Sequence, residues 1–573
     1  MVNTLISPLE LMFAENIVKQ HNNQTTNRIV IISPKLYLIL LSIAVALLFF
    51  SFWQIKPAIV NINDFLGLVS HFTVFYWTGL LIVLACSIAI YFDVKIKNSA
   101  LFILTLIIAG FFLFGPRMFA EKNPTPYSAY WLGASYEELI NNQPIDLASP
   151  NVQANYAAWP GYNIINANLL AISGVNYDTL MKYMTILWIL CCTIIPFAIG
   201  KRLGLSYNSS FMISFISLSS FWLLQNYYSP QMLGYIFYLL IFMFIITFKS
   251  RMAEYLSITL LFSALVLTNG LTSVTVLLAI LALALFQKTS RFIWLFSIVF
   301  VFWFIFLAPV VFNIGIKTFW NELINVDFFT FLNGGGYAQV SSVSGEIGKY
   351  CRAFFPIVFA LLIAAAFVLY LRKKIKNENR NIFILCCAWA AGLVLLLFSS
   401  GWSIESDWRL YMFLLVPVST IIVLTYNNKY LFLILMATFL VLNVPANYHT
   451  EAIQQTLDTE LSGAQFFAAH ISETSTCYLN YGYGMDNYVE YYNPTMLYYD
   501  WLQIDSSDLS KKKVQSAANA VLQKCDFLTL SDRDDSTYQY SYNFNPIERW
   551  LQNNSTSLIY NNGHYQIYSN NFP

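Results

Sequence analysis

Apolar runs of 15–22 residues recur along the chain from residue 36 to residue 445. Runs of this length are typical of helices that cross a membrane. The thirteen spans that we predict lie near residues 36–53, 73–92, 100–116, 178–199, 209–225, 230–248, 255–268, 271–286, 292–312, 353–371, 381–399, 409–425 and 429–445. The predicted fold class is therefore an all-α polytopic membrane bundle of about 13 transmembrane helices.

The seventh and eighth spans adjoin at residues 255–286. A single helix of this length would measure roughly 48 Å at about 1.5 Å per residue, well beyond a bilayer core of about 30 Å. Basic residues at both ends indicate that the chain returns to the side it left. We therefore predict a broken hairpin that bends at Thr268, Asn269 and Gly270. Such a break is tolerated only where it is buried in protein or lines a wet cavity.

Short basic connectors recur on alternate sides of the predicted bundle. They are Lys95, Lys97, Lys201, Arg202, Lys249, Arg251, Lys288, Arg291 and the segment 372–380. Basic short loops stay cytoplasmic. This predicts a multi-pass protein of the plasma membrane, with a cytoplasmic segment 1–34, a transmembrane domain 35–445, and outer loops 117–177 and 313–352.

The composition changes after residue 445 to Tyr, Asn, Asp and Ser. Helical spacing of apolar residues alternates there with short strand-like runs, and Asn562-Gly563 between two alternating runs predicts a β-hairpin. We predict a small extracytoplasmic α/β domain over residues 446–573. Cys477 and Cys525 could pair there, and the sequence leaves this open.

Bulk composition agrees with a membrane protein, because 57% of the residues are hydrophobic and only 11% are charged. Soluble chains carry about 25% charged residues. With five histidines and no zinc-like Cys/His spacing, a zinc enzyme is not indicated.

The first outer loop contains two stretches that suit helices at the membrane surface, SAYWLGASYEELINN and GYNIINANLLAISG. Each is too short and polar to span, whereas Trp and Tyr anchor well at the interface. The apolar residues expected on the lipid side are Trp131, Leu132, Tyr136 and Leu139 in the first stretch, and Ile164, Ile165, Leu169 and Leu170 in the second.

The order of these elements resembles the GT-C class of membrane glycosyltransferases. It consists of a span, a long outer loop with two surface helices and an early acidic residue, and then a helical bundle. The local sequence resembles the archaeal and bacterial branch related to oligosaccharyltransferases and protein O-mannosyltransferases. The phrases that carry the likeness, within residues 100–570, are YAAWPGYNIINANLLAISGVN, LLQNYYSPQMLGYIFYLLIFM, TNGLTSVTVLLAI, SDWRLYMFLLVPVS and SLIYNNGHYQIYSN. The first two spans resemble additions before this module.

The resemblance implies transfer of a sugar from a polyprenyl-phosphate-linked donor to a cell-surface glycan, lipid or protein acceptor on the outer face. The glycines at 334–336 follow no strand and open no helix, so a nucleotide-phosphate loop is not indicated. The simplest interpretation of these glycines is a mobile loop that closes over the carrier lipid. An outer site has no nucleotide supply, which favours a lipid-linked donor over a nucleotide sugar. The expected partners include membrane lipids and no nucleic acid.

Enzymes of this class use an acid in the first large loop as the catalytic base or as a ligand of a divalent metal, here Mg or Mn. A carboxylate can take the proton of the acceptor. Glu121, five residues after Pro116, is where the resemblance expects this acid, although it stands beside Lys122 and could be a solvated loop residue. Relatives more often carry Asp just before the first surface helix, where this chain has Ser128. Other acids in the loop are Glu137, Glu138 and Asp146.

Arg409 is the first candidate for holding the lipid phosphate, since it stands at the outer end of the twelfth span beside Asp407. An arginine can hold a phosphate by two parallel hydrogen bonds. The alternative is an interfacial ion pair of Arg409 with Asp407. Weaker candidates for phosphate or substrate contact are Arg352, Lys349, Lys317, Tyr228, Gln231 and Asn269, of which Asn269 could simply break the helix.

Two other functions stay open at this stage. A catalytically inactive GT-C-like binding or scaffold subunit would explain the missing Asp near Ser128. A transporter or flippase for a lipid-linked glycan predicts ionisable residues deep within the spans, and the sequence has almost none.

Overall fold

The fold is described from a computed structural model of the chain. The residues it describes are 33–55, 58–61, 63–93, 98–134, 159–222, 227–246, 248, 251–286, 289–308, 312, 342–395, 406–470, 478–480, 489, 492, 499–501, 527–531 and 557–569.

Helices dominate these residues. In chain order they are α1 (Pro34–Gln54), α2 (Val74–Phe92), α3 (Ser99–Phe114), α4 (Pro116–Ala120), α5 (Ser128–Ala134), α6 (Gly161–Ser173), α7 (Tyr177–Tyr183), α8 (Thr185–Arg202), α9 (Tyr207–Ser219), α10 (Pro230–Ile245), α11 (Met252–Thr268), α12 (Gly270–Leu283), α13 (Ser290–Phe306), α14 (Val343–Leu371), α15 (Asn377–Val394), α16 (Ser406–Thr425), α17 (Lys429–Asn447), α18 (Glu451–Gln454) and α19 (Asp458–His470). A short 3₁₀ helix, Gly67–His71, precedes α2.

Every predicted span contains helix among its described residues, and the span 178–199 is divided between α7 and α8. By length and composition, five helical stretches among the described residues are long and apolar enough to cross a membrane: α1, α2, α7 with α8, α14 and α17. Six shorter apolar helices accompany them. These helices support a multi-pass membrane protein, while the number of thirteen crossings stays a prediction.

The predicted break between the seventh and eighth spans is confirmed. α11 ends at Thr268, and Asn269 has the extended backbone of a helix N-cap. Its Oδ1 accepts hydrogen bonds from the N–H of Thr272 at 2.9 Å and from the Thr272 hydroxyl at 2.8 Å. A capping side chain of this kind satisfies donors that the first turn leaves free. Asn269 therefore acts as a helix breaker and cap.

The break is covered by protein, because the indole of Trp159 lies directly on Gly270. A Cβ at Gly270 would approach the Trp159 ring to 2.3 Å.

We expect Gly270→Ala to lower the free energy of unfolding by about 1–3 kcal/mol, the usual effect of overpacking. Gly234→Ala, whose nearest contact would be 3.1 Å, is the matched control. Equal unfolding midpoints for the two variants in detergent would contradict this packing.

The ends of several helices meet at one end of the bundle. The Tyr448 hydroxyl donates to the Leu113 carbonyl at 2.7 Å, and Asn443 donates through Nδ2 to the Phe221 carbonyl at 2.7 Å. The Ser344 hydroxyl donates to the His449 carbonyl at 2.8 Å. The C-terminal ends of α3, α9 and α17 and the N-terminal end of α14 therefore share this end, which the predicted topology places outside.

The opposite end carries the basic connectors. Arg202 at the end of α8 lies 3.9 Å from Glu254 in the first turn of α11. This contact brings two of the predicted cytoplasmic connectors to one end of the bundle. The orientation in the membrane itself stays a prediction.

The first two helices pack into the same core as the rest. The Tyr76 hydroxyl donates to the Phe112 carbonyl at 2.7 Å. Gly79 lies against the Phe112 ring, so that a Cβ there would come within 2.6 Å of it. The segment after α1 is also bound to the segment after α17, because Val60 N–H donates to Gln455 Oε1 at 3.1 Å.

The C-terminal strands form one mixed five-stranded sheet in the order β2-β1-β3-β5-β4. The strands are β1 (Tyr478–Asn480), β2 (Tyr499–Trp501), β3 (Phe527–Ser531), β4 (Ser557–Asn561) and β5 (Tyr565–Ser569). The β4–β5 hairpin at Asn562-Gly563 is confirmed, with Gly563 at φ +91°. α19 packs on β5, where Gly463 lies on the Tyr565 ring. The domain boundary at residue 446 stays a prediction, and Cys477 and Cys525 lie outside the described residues.

The prediction for the two surface stretches is wrong in part. Leu132 on α5 and Leu170 on α6 are buried in the protein, whereas Ile164 and Ile172 on α6 are exposed. The reason is that α6 turns Tyr162, Asn163 and Asn166 inward, and the helical repeat then carries Leu170 inward with them. Trp131, Tyr136 and Leu139 have side chains outside the described residues.

Candidate functional site

Glu121 is a buried carboxylate at the end of α4, with only 2% of its surface exposed. Pro116 begins this short helix, and the Glu121 N–H donates to the Arg117 carbonyl at 3.4 Å. The Thr125 hydroxyl donates to Glu121 Oε2. Glu121 Oε1 has no hydrogen-bond partner among the described residues. One carboxylate oxygen is thus fixed, while the other remains able to accept a hydrogen bond.

A buried ion pair lies beside Glu121. Arg117 donates to Glu451 Oε1 through Nε at 2.8 Å and through Nη2 at 2.5 Å. The Glu451 side chain is fully buried, and the Arg117 side chain is 9% exposed. The guanidinium also donates to the Asn447 carbonyl at 3.3 Å and lies 5.6 Å from the centroid of the Tyr448 ring. The start of the first outer loop is thereby tied to the segment that follows α17.

Two further cations border this pair. The Lys182 ammonium on α7 donates to the carbonyls of Glu121 at 2.9 Å and Lys122 at 3.0 Å. The Arg352 guanidinium donates through Nε to the Ala446 carbonyl at 3.0 Å and lies 5.1 Å from the centroid of the Trp222 ring. Three basic and two acidic side chains therefore gather at this end of the bundle.

Burial and charge change the proton affinities of the two acids. The pKa of Glu121 is raised, first by its burial and then by the negative charge of Glu451, while Arg117, Thr125 and Lys182 oppose the rise. The pKa of Glu451 is also raised by burial, against the opposing effect of Arg117. Glu121 therefore takes up a proton at a higher pH than an ordinary glutamate does.

The neighbouring histidine is neutral. Burial, followed by the charge of Arg352, lowers the pKa of His449 well below its usual range. At neutral pH His449 adds no positive charge to the cluster. The positive charge of the cluster therefore comes from Arg117, Arg352 and Lys182.

The arrangement can perform acid–base chemistry next to an anion. A buried carboxylate with a raised pKa and one available oxygen is suited to accept a proton near neutral pH. Guanidinium and ammonium groups stabilise negative charge that develops on a phosphate. Both kinds of group are present within one cluster formed by α4, α7, α14 and the segment after α17.

Arg352 is the predicted phosphate candidate that joins this cluster. α14 begins at Val343, capped by the Ser342 hydroxyl, which accepts from Gly345 N–H at 3.0 Å. Arg352 therefore stands in the third turn of a long helix, while the outer loop 313–352 stays a prediction. The exposed Lys349 stands one turn earlier on the same helix.

Arg409 stands in the first turns of α16, half-buried. Two residues later, Tyr411 stacks on Trp222 with ring centroids 5.0 Å apart. Trp222 is also the ring that the Arg352 guanidinium contacts. The role of Arg409 in phosphate binding stays a prediction. The side chains of Glu137, Glu138, Asp146, Lys317 and Asp407 lie outside the described residues.

Tyr228 and Gln231 belong to a second, uncharged cluster. The Tyr228 hydroxyl donates to Asn166 Oδ1, and Gln231 stands in the first turn of α10. Neighbouring Gly234 packs against Asn269. These three predicted residues are therefore brought together by the packing of α6, α10 and the α11–α12 break.

Arg117, Lys182 and Glu451 were missed from the sequence. Arg117 had a local signal, since it stands four positions before Glu121, on the same side of a helical turn. Glu451 had none, because it follows Arg117 by 334 positions and meets it only through the packing of α3 against α17.

A divalent metal would need a ligand set. Within the described ranges, no group of three His, Cys, Asp or Glu side chains could hold a metal ion. The cation already beside Glu121 and Glu451 is Arg117, so these two acids do not by themselves fit Mg or Mn. Metal dependence stays a prediction, because the other acids of the first outer loop lie outside the described part.

Comparisons with known proteins give similarity to solved structures only. The chain matches no protein-family model and no curated protein. Among solved structures, it is similar to ArnT from Cupriavidus metallidurans in a crystal structure with bound undecaprenyl phosphate, at a TM-score of 0.38 and 11% identity, over 82% of this chain and 98% of that chain. A similarity of this strength assigns no function, so the functional proposal depends on the chain's own residues.

Proposed function

We propose that this chain is a membrane glycosyltransferase. It takes a sugar from a polyprenyl-phosphate-linked donor and transfers it to a cell-surface glycan, lipid or protein acceptor on the outer face of the membrane. The resemblance of the sequence to GT-C enzymes supports the class, and the buried cluster around Glu121 supports the site.

The observation that carries the proposal is the position of Glu121. Its Oε1 is buried and without a hydrogen-bond partner in the described part of the chain, and Arg117 and Lys182 border it. A solvated loop glutamate would not be buried in this way. A buried carboxylate oxygen that lacks a hydrogen bond is costly, which favours a functional reason for its burial.

In the proposed step, an acceptor hydroxyl or amide attacks the anomeric carbon of the donor. The acceptor proton passes to Glu121 Oε1 as the new glycosidic bond forms. The bond between the anomeric carbon and the phosphate oxygen breaks, and its electron pair stays on the lipid phosphate. Arg117, Arg352 and Lys182 are the groups that we propose to stabilise that charge.

The proposal is tested by sugar transfer with purified protein in liposomes, using labelled polyprenyl-phosphate sugars and measuring kcat across pH. Glu121 must be ionised to accept a proton, and its pKa is raised. We therefore expect activity to rise with pH through a midpoint above the usual glutamate range and to be lost below it. Sugar transfer is also measured after chelation of divalent metals and again after Mg or Mn is added back, which shows whether transfer requires a metal.

The same assay separates the alternatives. Binding of the donor without transfer by any of several acceptors would favour the inactive binding subunit. Passage of intact lipid-linked sugar across the bilayer, without cleavage, would favour the flippase. Transfer that stays constant down to the ordinary glutamate pKa would remove Glu121 as the base.

A further inference from the structure

α6 buries two asparagine side chains beside Tyr162 and Leu170. Asn163 and Asn166 face inward and are 3% and 0% exposed, whereas Ile172 on the outward side is 84% exposed. An exposed apolar residue such as Ile172 suits the lipid interface. Lipid contact does not require the inward side to be polar, because Leu or Ile would pack there at no cost in hydrogen bonds.

The inward amides are not saturated. Asn166 Oδ1 accepts from the Tyr228 hydroxyl, but Asn166 Nδ2 has no partner in the described residues, and the same holds for Asn163 Oδ1. Gln231 Oε1, on the adjacent α10, is likewise buried without a hydrogen bond in the ranges described. Buried amide atoms are rarely left unpaired without a reason.

The groups around these amides are neutral hydrogen-bonding groups. The hydroxyls of Tyr162 and Tyr177 lie 2.8 Å apart, and Tyr162 donates to the Tyr228 carbonyl at 3.2 Å. An amide both donates and accepts, as does a ligand hydroxyl. This chemistry matches a polyhydroxylated, uncharged ligand, in contrast to the charged cluster around Glu121.

α7 connects the two clusters. The Tyr177 hydroxyl contacts the Tyr162 hydroxyl next to the amides, and Lys182 on the same helix donates to the backbone carbonyl of Glu121. Five residues of helix correspond to about 7.5 Å along its axis. The two clusters therefore contact positions less than two turns apart on one helix.

From this arrangement we infer that Asn163, Asn166 and Gln231 form a hydroxyl-binding subsite for a sugar ring. The inference rests on the proposed transferase function and names the part of the site that recognises sugar. The ring belongs either to the donor or to the acceptor.

The test measures binding to the full chain in nanodiscs with three probes: undecaprenyl phosphate, undecaprenyl phosphate bearing glucose, and methyl glucoside. Asn163→Ala and Asn166→Ala are compared with Asn168→Ala. Asn168 is the matched control, because it is exposed on the same helix and its Nδ2 donates to the Ile164 carbonyl at 2.7 Å. Unchanged affinity for bare undecaprenyl phosphate reports that each variant is folded.

We expect the two inward variants to weaken glucose-dependent binding about tenfold, the effect of one lost hydrogen bond to a neutral partner. A loss confined to the glucose-bearing lipid assigns the subsite to the donor, and a loss confined to methyl glucoside assigns it to the acceptor. Equal weakening of all three probes, or no difference from Asn168→Ala, would overturn the subsite. Sugar binding that depends on these asparagines without any transfer by wild type would instead remove the proposed function and leave the subsite standing.

Discussion

Glu121→Gln is expected to reduce sugar transfer by about 100-fold or more, the usual range for loss of a general base. The amide keeps the shape of the side chain and can still accept from the Thr125 hydroxyl, but it cannot take a proton from the acceptor. Donor binding should change little, because the cations of the site remain. The measurements are kcat and donor affinity in liposomes.

Glu346→Gln is the matched control for this result. Glu346 is exposed in the first turn of α14, at the same end of the bundle. Its replacement should leave kcat unchanged. If Glu121→Gln retains wild-type kcat, the base must be sought among Glu137, Glu138 and Asp146.

Arg117→Met is expected to destabilise the protein by about 3–5 kcal/mol, because it leaves the buried Glu451 carboxylate without its partner. The double variant Arg117→Met with Glu451→Leu should recover most of this loss, since an apolar pair of similar volume can replace a buried ion pair. The free energy of unfolding in mixed micelles measures both effects.

A second ion pair supplies the control, because it joins the same two segments at the surface. Lys122 contacts Asp458, and their side chains are 63% and 51% exposed. Lys122→Met should change stability by at most about 1 kcal/mol. Equal effects of Arg117→Met and Lys122→Met would show that burial of the first pair does not matter for stability.

The helices were predictable because their signals are local. The length of each apolar run predicts the position of a span. The run 255–286 is too long for one span and has Thr268-Asn269-Gly270 at its centre, which predicts the break that the structure confirms. The β-hairpin at Asn562-Gly563 follows from turn chemistry in the same way. These features need only interactions between residues near in sequence.

The inward face of α6 was not predictable in this way. In a membrane protein, the outward side of a surface helix is apolar and the inward side can be polar, so hydropathy alone does not fix which residues are buried. Ile164 and Leu170 belong to the same apolar set in the sequence, yet only Leu170 is buried. The direction is decided by Asn166 and its contact with Tyr228, 62 positions away.

The sequence by itself determined the membrane class, the positions of the helices and the presence of Glu121 just after an apolar span. Tertiary structure alone decided that Glu121 is buried, that Arg117, Lys182 and Glu451 lie beside it, and that Arg352 lies beside Glu451. Those partners come from four separate segments, with Arg117 and Glu451 334 positions apart. Their meeting depends on the packing of whole helices, and it is this packing that removes water and raises the pKa of Glu121.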